Sequence, residues 1–422
     1  MRILVLGSGA REHAIVTALL AEGAGHEIVA APGNAGIAAE PGVTALALDI
    51  TDGTAVAGFA RAEGIDLVVI GPEAPLVAGV ADAVRRAGVP VFGPDRAAAA
   101  LEGSKTFAKR IMEVAGVPTG RSTHAATLAE VAAALDDLGA PHVVKADGLA
   151  AGKGVIVTDD RDAALAHAAQ YLPQGPVLIE EFLGGPEVSL FFLADGHDVL
   201  PLSPAQDYKR VGDGDAGPNT GGMGAYSPLP WLDEMFGSEA AFVDEVRRTI
   251  ALPTIRTLEA EGTPFAGLLY CGLVLTDAGL RVIEFNARFG DPETQVVLPR
   301  LLTPLSTLLL AAATGDLAHH DDPEFSPESA VVVVLASEGY PESPITGREL
   351  TGLEAPLPTG VTIAHAATLR DGDRMLATGG RVLGVVSRGD GFAAARAAAY
   401  IALAGIGLEG GHYRHDIAER VS

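Results

Sequence analysis

A glutamate, an asparagine and an arginine occupy alternate positions of the segment RVIEFNARFGDPET. In an extended chain alternate side chains share one face, so Glu284, Asn286 and Arg288 are expected on one side and Ile283, Phe285 and Ala287 on the other. A carboxylate and an amide carbonyl so placed are hard oxygen ligands that suit Mg²⁺, which takes one or two carboxylates and completes its shell with water and substrate phosphates. Arg288, next along, is placed to stabilise charge on a transferring phosphoryl group. A strand with a wet polar face explains any such trio, but the following turn GDPET adds Asp291 and Glu293 to the same end. That addition favours the metal reading.

A second stretch, VVKADGLAAGKGVIV at 143–157, has β-branched runs on either side of a loop of small residues. Gly148, Gly152 and Gly154 let backbone N–H groups turn toward an anion without a Cβ clash, and Lys145 on the strand offers a fixed charge to the same phosphates. Lys153 would arrive as the loop closes. Gly154 stands where a Walker loop needs Ser or Thr, so the stretch reads as a cover over phosphates and not as a cradle. In VLIEEFLGGPE a strand runs into Glu180 and Glu181 and reaches a further acid at Glu187. Beside a phosphate loop, such a strand end suits an adenine edge and the later acid suits ribose hydroxyls.

GSGAREHA near the N-terminus resembles a dinucleotide fingerprint without completing it. Glu12 replaces the third small residue, and the second strand, EIVAA, ends without a ribose-binding acid. Nicotinamide binding is excluded on that reading. A helix N-terminus suited to one phosphate remains, with Arg11 beside it, while His13 reads as a surface or core residue.

The elements that must position these residues fall into three regions. Residues 1–103 alternate short β-branched runs with helical stretches, as in a doubly wound parallel sheet whose ligand loops GSGAREH, APGNAG and GPEAP lie at the carboxyl ends of strands. Residues 104–325 open with the helix SKTFAKRIMEVAG and contain a small inserted unit of two helices and several strands at about 120–190. The segment AQDYKRVGDGDAGPNTGGMGAYSP reads as a long polar loop, and GLLYCGLVLTDAGLRVIEFNAR as a hairpin turning at 277–279. Residues 326–422 read as a small α+β cap. The expected fold class is therefore α/β with α+β.

Composition bounds the function further. A chain of 422 residues with 48% hydrophobic content can fill several cores, and a net charge of −25 argues against nucleic acid or an anionic membrane as partner. The single cysteine, Cys271, forms no internal disulfide and reads as a small core residue. The most apolar segment, 301–315, is interrupted by Pro304 and is shorter than the ~20 residues a membrane span requires. No long apolar repeat is left over for a partner, so a cytoplasmic monomer is the expectation.

Taken together, GSGAREHA, PGNAG, GPEAPL, LEGSK, KADGLAAGKGV, IEEFL, QDYKR, GPNTGGMGAYSP and EFNARFGDPET resemble the phosphoribosylamine–glycine ligase family of the ATP-grasp superfamily, over residues 1 to about 415. The resemblance implies that ATP, glycine and 5-phosphoribosylamine give glycinamide ribonucleotide, ADP and phosphate through glycyl phosphate. It implies Mg²⁺ or Mn²⁺ on Glu284 and Asn286, with Arg288 and Lys145 in catalytic positions. Lys105 and Lys145 would meet the nucleotide phosphates, the loop 148–154 would close over them, Glu181 and Leu183 would meet adenine through their backbones, Glu180 would be among the ATP-binding residues, and Glu187 would hold the ribose. Gly9, Arg11, Gly33, Asn34, Glu73, Asp207, Lys209, Asn219, Thr220 and Met223, with Asp291 and Glu293, would line the acceptor and glycine pocket. Two departures are visible: Tyr208 stands where the family has histidine, and Thr378 precedes Gly379, Gly380 and Arg381 where the family often has asparagine. The competing readings are a related purine-pathway enzyme using another carboxylic acid, such as formate or bicarbonate, and a catalytically silent nucleotide sensor.

Overall fold

The computed structural model describes residues 1–148 and 154–422. Its first unit is a five-stranded parallel sheet in which Arg2–Gly7 lies at the centre, between Glu27–Pro32 on one side and Leu67–Ile70 on the other; Val43–Ala45 and Val91–Phe92 form the edges. The β-branched runs suit strands covered on both faces, and Ile3, Leu4, Val5 and Leu6 are all fully buried. The strand order reverses between Arg2–Gly7 and Leu67–Ile70, which is where a ligand crevice opens in such sheets. Glu12 fills this crevice. A Cβ on Gly71 would stand 2.1 Å from the Glu12 carboxylate, and one on Gly7 would stand 2.5 Å from its Cγ. The residue that breaks the dinucleotide pattern in the sequence thus occupies the space a diphosphate would need.

The inserted unit is a four-stranded antiparallel sheet ordered Ser122–Ala125, Val177–Glu180, His142–Ala146 and Val155–Thr158, backed by the helices Leu128–Leu138 and Arg161–Tyr171. Thr127 and Glu130 cap the first helix reciprocally, and the Asp160 carboxylate accepts two N–H groups at the start of the second. The unit has its own core, with Val131, Leu135, Val144 and Ile179 among its members, separate from the two larger ones.

The central sheet runs Val199–Pro201, Glu187–Asp195, Ala266–Thr276, Gly279–Asn286, all antiparallel. Cys271 is buried within it, and burial pushes its thiol up. The polar segment expected as a loop is a different object. It supplies Gln206–Asp207 and Gly224–Ser227 to a sheet completed by Ser329–Ala336, Arg381–Gly389 and Val361–His365, and it forms a separate two-stranded ribbon from Arg210–Gly212 and Ala216–Asn219. Glycine and proline density hid these strands, and Gly224–Ser227 is held by the distant strand Ser329–Ala336. The helix Phe392–Ala404 packs on this last sheet. The apolar segment around residue 310 is the buried helix Leu305–Thr314, and no helix of the described residues is long and apolar enough to cross a membrane.

His13 lies buried at the contact between the first sheet unit and the C-terminal sheet. Its Nε2 faces Glu40 at 3.1 Å and its Nδ1 accepts the His365 backbone N–H at 2.8 Å. This is the core role expected of it.

Candidate active site

The hairpin strand Gly279–Asn286 does not keep a single alternation. Gly272 pairs with Glu284 but Leu273 pairs with Val282, so Ile283 is an extra residue, a β-bulge. Before the bulge Leu280 and Val282 point into the core; after it Phe285 and Ala287 do, and the even positions Glu284 and Asn286 turn to the other face. Ile283, expected on the core side with Phe285, sits at the irregularity and only half-buried. The bulge is what aims the acid and the amide out of the core.

Across the sheet, Ser189 pairs with Gly272 and Gly272 with Glu284, while Tyr270 pairs with Asn286, so these side chains share one surface. Gly272 keeps that surface open: a Cβ there would stand 3.2 Å from Glu284 Cγ and 3.3 Å from the Tyr270 ring. Burial alone would raise the Glu284 carboxyl. Lys209, Lys145 and Lys105, with the neighbouring Asn286 amide, outweigh that and hold it below the usual range. Charges from three separate segments thus act on one carboxylate.

Lys105 begins the helix Lys105–Ala115, whose N-cap Ser104 accepts the Phe107 N–H at 3.1 Å, a contact that contributes about 1 kcal/mol. Asp147, from the glycine-rich stretch, accepts the Lys105 N–H at 2.7 Å and the Thr106 hydroxyl at 2.7 Å. Asp147 and Gly148 are thereby tied to the helix that carries Lys105, whose Nζ reaches the Gly148 carbonyl at 3.1 Å. Burial lowers the Lys105 ammonium, against the pull of Glu284. Gly154 closes the described part of the loop by accepting the Ala146 N–H at 2.7 Å. Gly152 and Lys153 lie outside the described residues.

Lys145 is buried at the lid sheet, with Nζ 3.4 Å from the Ile283 carbonyl and ion-paired to Glu180. Glu180 also faces Lys109 at 2.5 Å. Burial would raise the Glu180 carboxyl, but Lys145 and Lys109 hold it low. The Glu180 carboxylate sits between these two lysines. Glu181 pairs with Arg121 through its side chain (2.9 Å) and donates its N–H to the Arg121 carbonyl at 3.0 Å. Among the described residues no partner takes the Glu181 carbonyl or the Leu183 backbone. Those are the groups an adenine edge needs. Glu187, expected on the ribose, is ion-paired with Lys209 at 2.7 Å.

Around the other end of the sheet, Asp207 is pushed up to about 7 by burial and by Glu293 and Glu187, against Lys209. Lys209 is raised because Glu187 and Asp207 together overcome its burial. Glu293 is buried and accepts hydrogen bonds from Ser189 and Tyr270, both at 3.0 Å. Thr220 closes onto the Lys209 carbonyl through both its N–H (2.7 Å) and its hydroxyl (2.9 Å), beside Asn219 at the end of the ribbon. Asp291 lies near the start of the first helix, 3.7 Å from where a Gly9 Cβ would be.

Several expected ligands are already engaged. Arg288 faces Glu73 at 3.3 Å and Glu102 at 3.1 Å, and these acids raise it further although burial works against them. Arg11 is buried, donating to Glu12 at 2.6 Å and to the Phe289 carbonyl at 3.2 Å, so it braces the helix start and does not stand free beside it. Asn34, next to Gly33 with its φ of 71°, donates to Ser8 and His365 carbonyls and accepts two N–H groups; it ties loops together and has no capacity left for a substrate. Met223 is fully buried and both its backbone groups are bonded, to Tyr208 and Val334, so its side chain packs.

Reasoning from sequence assigned no role to Lys109, Glu102, Asp147 or Tyr270, and met Arg381 only as the end of the turn after Thr378. Only Lys109 left a local signal, one helical turn from Lys105 on the same face.

Three family models match the chain: the phosphoribosylglycinamide synthetase N domain over residues 1–102, its ATP-grasp (A) domain over 103–294 and its C domain over 330–420. Among curated relatives, the phosphoribosylamine–glycine ligase of Leifsonia xyli subsp. xyli is 70% identical over 423 residues, covering 100% of both chains. That of Streptomyces coelicolor is 55% identical over 425 residues, again covering 100% of both. The crystal structure of phosphoribosylamine–glycine ligase from Thermotoga maritima superposes with a TM-score of 0.80 at 34% identity, covering 99% of this chain and 100% of that one.

Proposed function

The chain belongs to the phosphoribosylglycinamide synthetase family, and from that premise we propose how its residues divide the work of one ligase reaction. It joins glycine to 5-phosphoribosylamine, converting ATP to ADP and phosphate and releasing glycinamide ribonucleotide for purine synthesis. A carboxylate oxygen is a very poor leaving group, so an amine does not displace it unaided. A glycine oxygen attacks the terminal phosphorus of ATP, ADP leaves, and glycyl phosphate results. The amine of phosphoribosylamine then attacks the acyl carbon and expels phosphate. The protein's contribution is positioning and charge neutralisation.

The observation that carries this reading is the Glu284 carboxylate beside Asn286 on one face of the sheet, held ionised by the charges of Lys209, Lys145 and Lys105. Two hard oxygen donors side by side fit Mg²⁺, or Mn²⁺, which when bound offsets the charge of the triphosphate oxygens. Glu284 and Asn286 would hold it. Lys105 and Lys145 would contact the phosphates, with the loop 148–154 above them. The Glu181 carbonyl and Leu183 N–H would receive adenine, and Glu187 would exchange Lys209 for the ribose. Arg288 would leave Glu73 or Glu102 in part to meet the transferring group. Asp207, Lys209, Asn219, Thr220, Asp291 and Glu293, with the loops at Gly9, Gly33 and Glu73, would surround glycine and the acceptor. A cytoplasmic monomer is proposed with this reading.

ADP release should require glycine. An assay of ADP formation with glycine, formate or bicarbonate in turn checks this, and release driven equally by formate or bicarbonate would overturn the choice of acid.

A further inference from the structure

Arg381 opens the strand Arg381–Gly389 of the C-terminal sheet, yet its guanidinium lies among the acceptor loops. One terminal nitrogen donates to the Gly221 carbonyl at 2.5 Å and the Asp291 carbonyl at 2.7 Å; the other faces the Asp291 carboxylate at 3.2 Å. Tyr340, whose ring covers Gly380, accepts the Gly221 N–H at 2.9 Å, so Gly221 is held from both sides by C-terminal residues. The two loops gripped here are the one following Asn219 and Thr220 and the one between Arg288 and Glu293. None of these contacts reaches Lys105, Lys145 or Glu284.

We infer that Arg381 is a positioning residue for the second half of the reaction: it fixes the two loops that seat 5-phosphoribosylamine against the acyl carbon, and through it the C-terminal region decides whether the activated acyl group meets an amine or water. This rests on the ligase reading above. A planar fork that bonds two carbonyls and a carboxylate at once is suited to such a three-way junction, and a lysine cannot reproduce it. When the acceptor is misplaced, the acyl phosphate still forms, but water attacks its carbon, and glycine and phosphate are returned with ATP consumed.

The test measures ADP and glycinamide ribonucleotide in the same reaction for the parent, Arg381→Ala, Arg381→Lys and Tyr340→Phe. Parent protein that forms product in step with ADP upholds the ligase reading independently of the variants. Arg381→Ala is then expected to raise the KM for phosphoribosylamine about ten-fold or more, to leave the KM for ATP unchanged, and to yield clearly less product per ADP. Arg381→Lys should recover part of the coupling, and Tyr340→Phe should show a smaller loss in the same direction. Variants that lose ADP and product in parallel, or that keep full coupling, would overturn the inference. If Arg381→Ala does not fold, the coupling ratios of the other two variants decide.

Discussion

Glu284→Ala should lower kcat by roughly a thousand-fold or more, as loss of a principal electrostatic element at a phosphoryl-transfer site does. The carboxylate is a hard oxygen donor beside the Asn286 amide, and the charges of Lys209, Lys145 and Lys105 all act on it. The fold should tolerate the change. Lys145 retains Glu180, Lys209 retains Glu187 and Lys105 retains the Gly148 carbonyl, so each lysine keeps a partner and the melting temperature should stay near that of the parent. Affinity for free ATP should change little, since the three lysines remain. Steady-state ADP release and calorimetric titration with ATP separate these effects. Turnover within ten-fold of the parent would show that the phosphoryl group moves without Glu284.

Glu180→Ala should have the largest effect on stability. This carboxylate is buried and paired with both Lys145 and Lys109, which are themselves nearly inaccessible. Removing one partner of a buried pair costs about 3–5 kcal/mol because the remaining charge is uncompensated, and here two charges are left. The loss should be local at first. Glu180 ends the strand Val177–Glu180, and the lid has a small core of its own, so hydrogen exchange should accelerate in Val177–Glu180 and His142–Ala146 before the rest of the molecule responds. Adding Lys109→Met should restore part of the stability by removing one stranded charge, as a double-mutant cycle would report. Equal stability of Glu180→Ala and the parent would mean that the lysines find other partners.

Much of the site could be read from short segments, because alternation along a strand and glycine spacing are local. The shared face of Glu284 and Asn286, the lysine on the strand before the glycine loop and the hairpin turn all follow from a few neighbouring residues. What escaped is long-range. No local pattern says that Glu102 meets Arg288, that Asp147 caps the helix of Lys105, or that Arg381 grips loops around residues 221 and 291. The bulge at Ile283 was hidden for a related reason: the run is apolar on both sides, and only pairing with Gly272 and Leu273 reveals the extra residue. Glu180 illustrates the converse. Its place at the end of a strand was legible, but that its carboxylate meets two lysines depends on the neighbouring strand His142–Ala146 and on the more distant helix Lys105–Ala115.

The account turns on an oxygen of the glycine carboxylate attacking the terminal phosphorus of ATP at the surface formed by Glu284 and Asn286. Turnover with glycine labelled with ¹⁸O in its carboxylate, followed by mass analysis of the phosphate released, tests this most directly. One labelled oxygen in the phosphate for each glycinamide ribonucleotide formed is the expected result; unlabelled phosphate would contradict it.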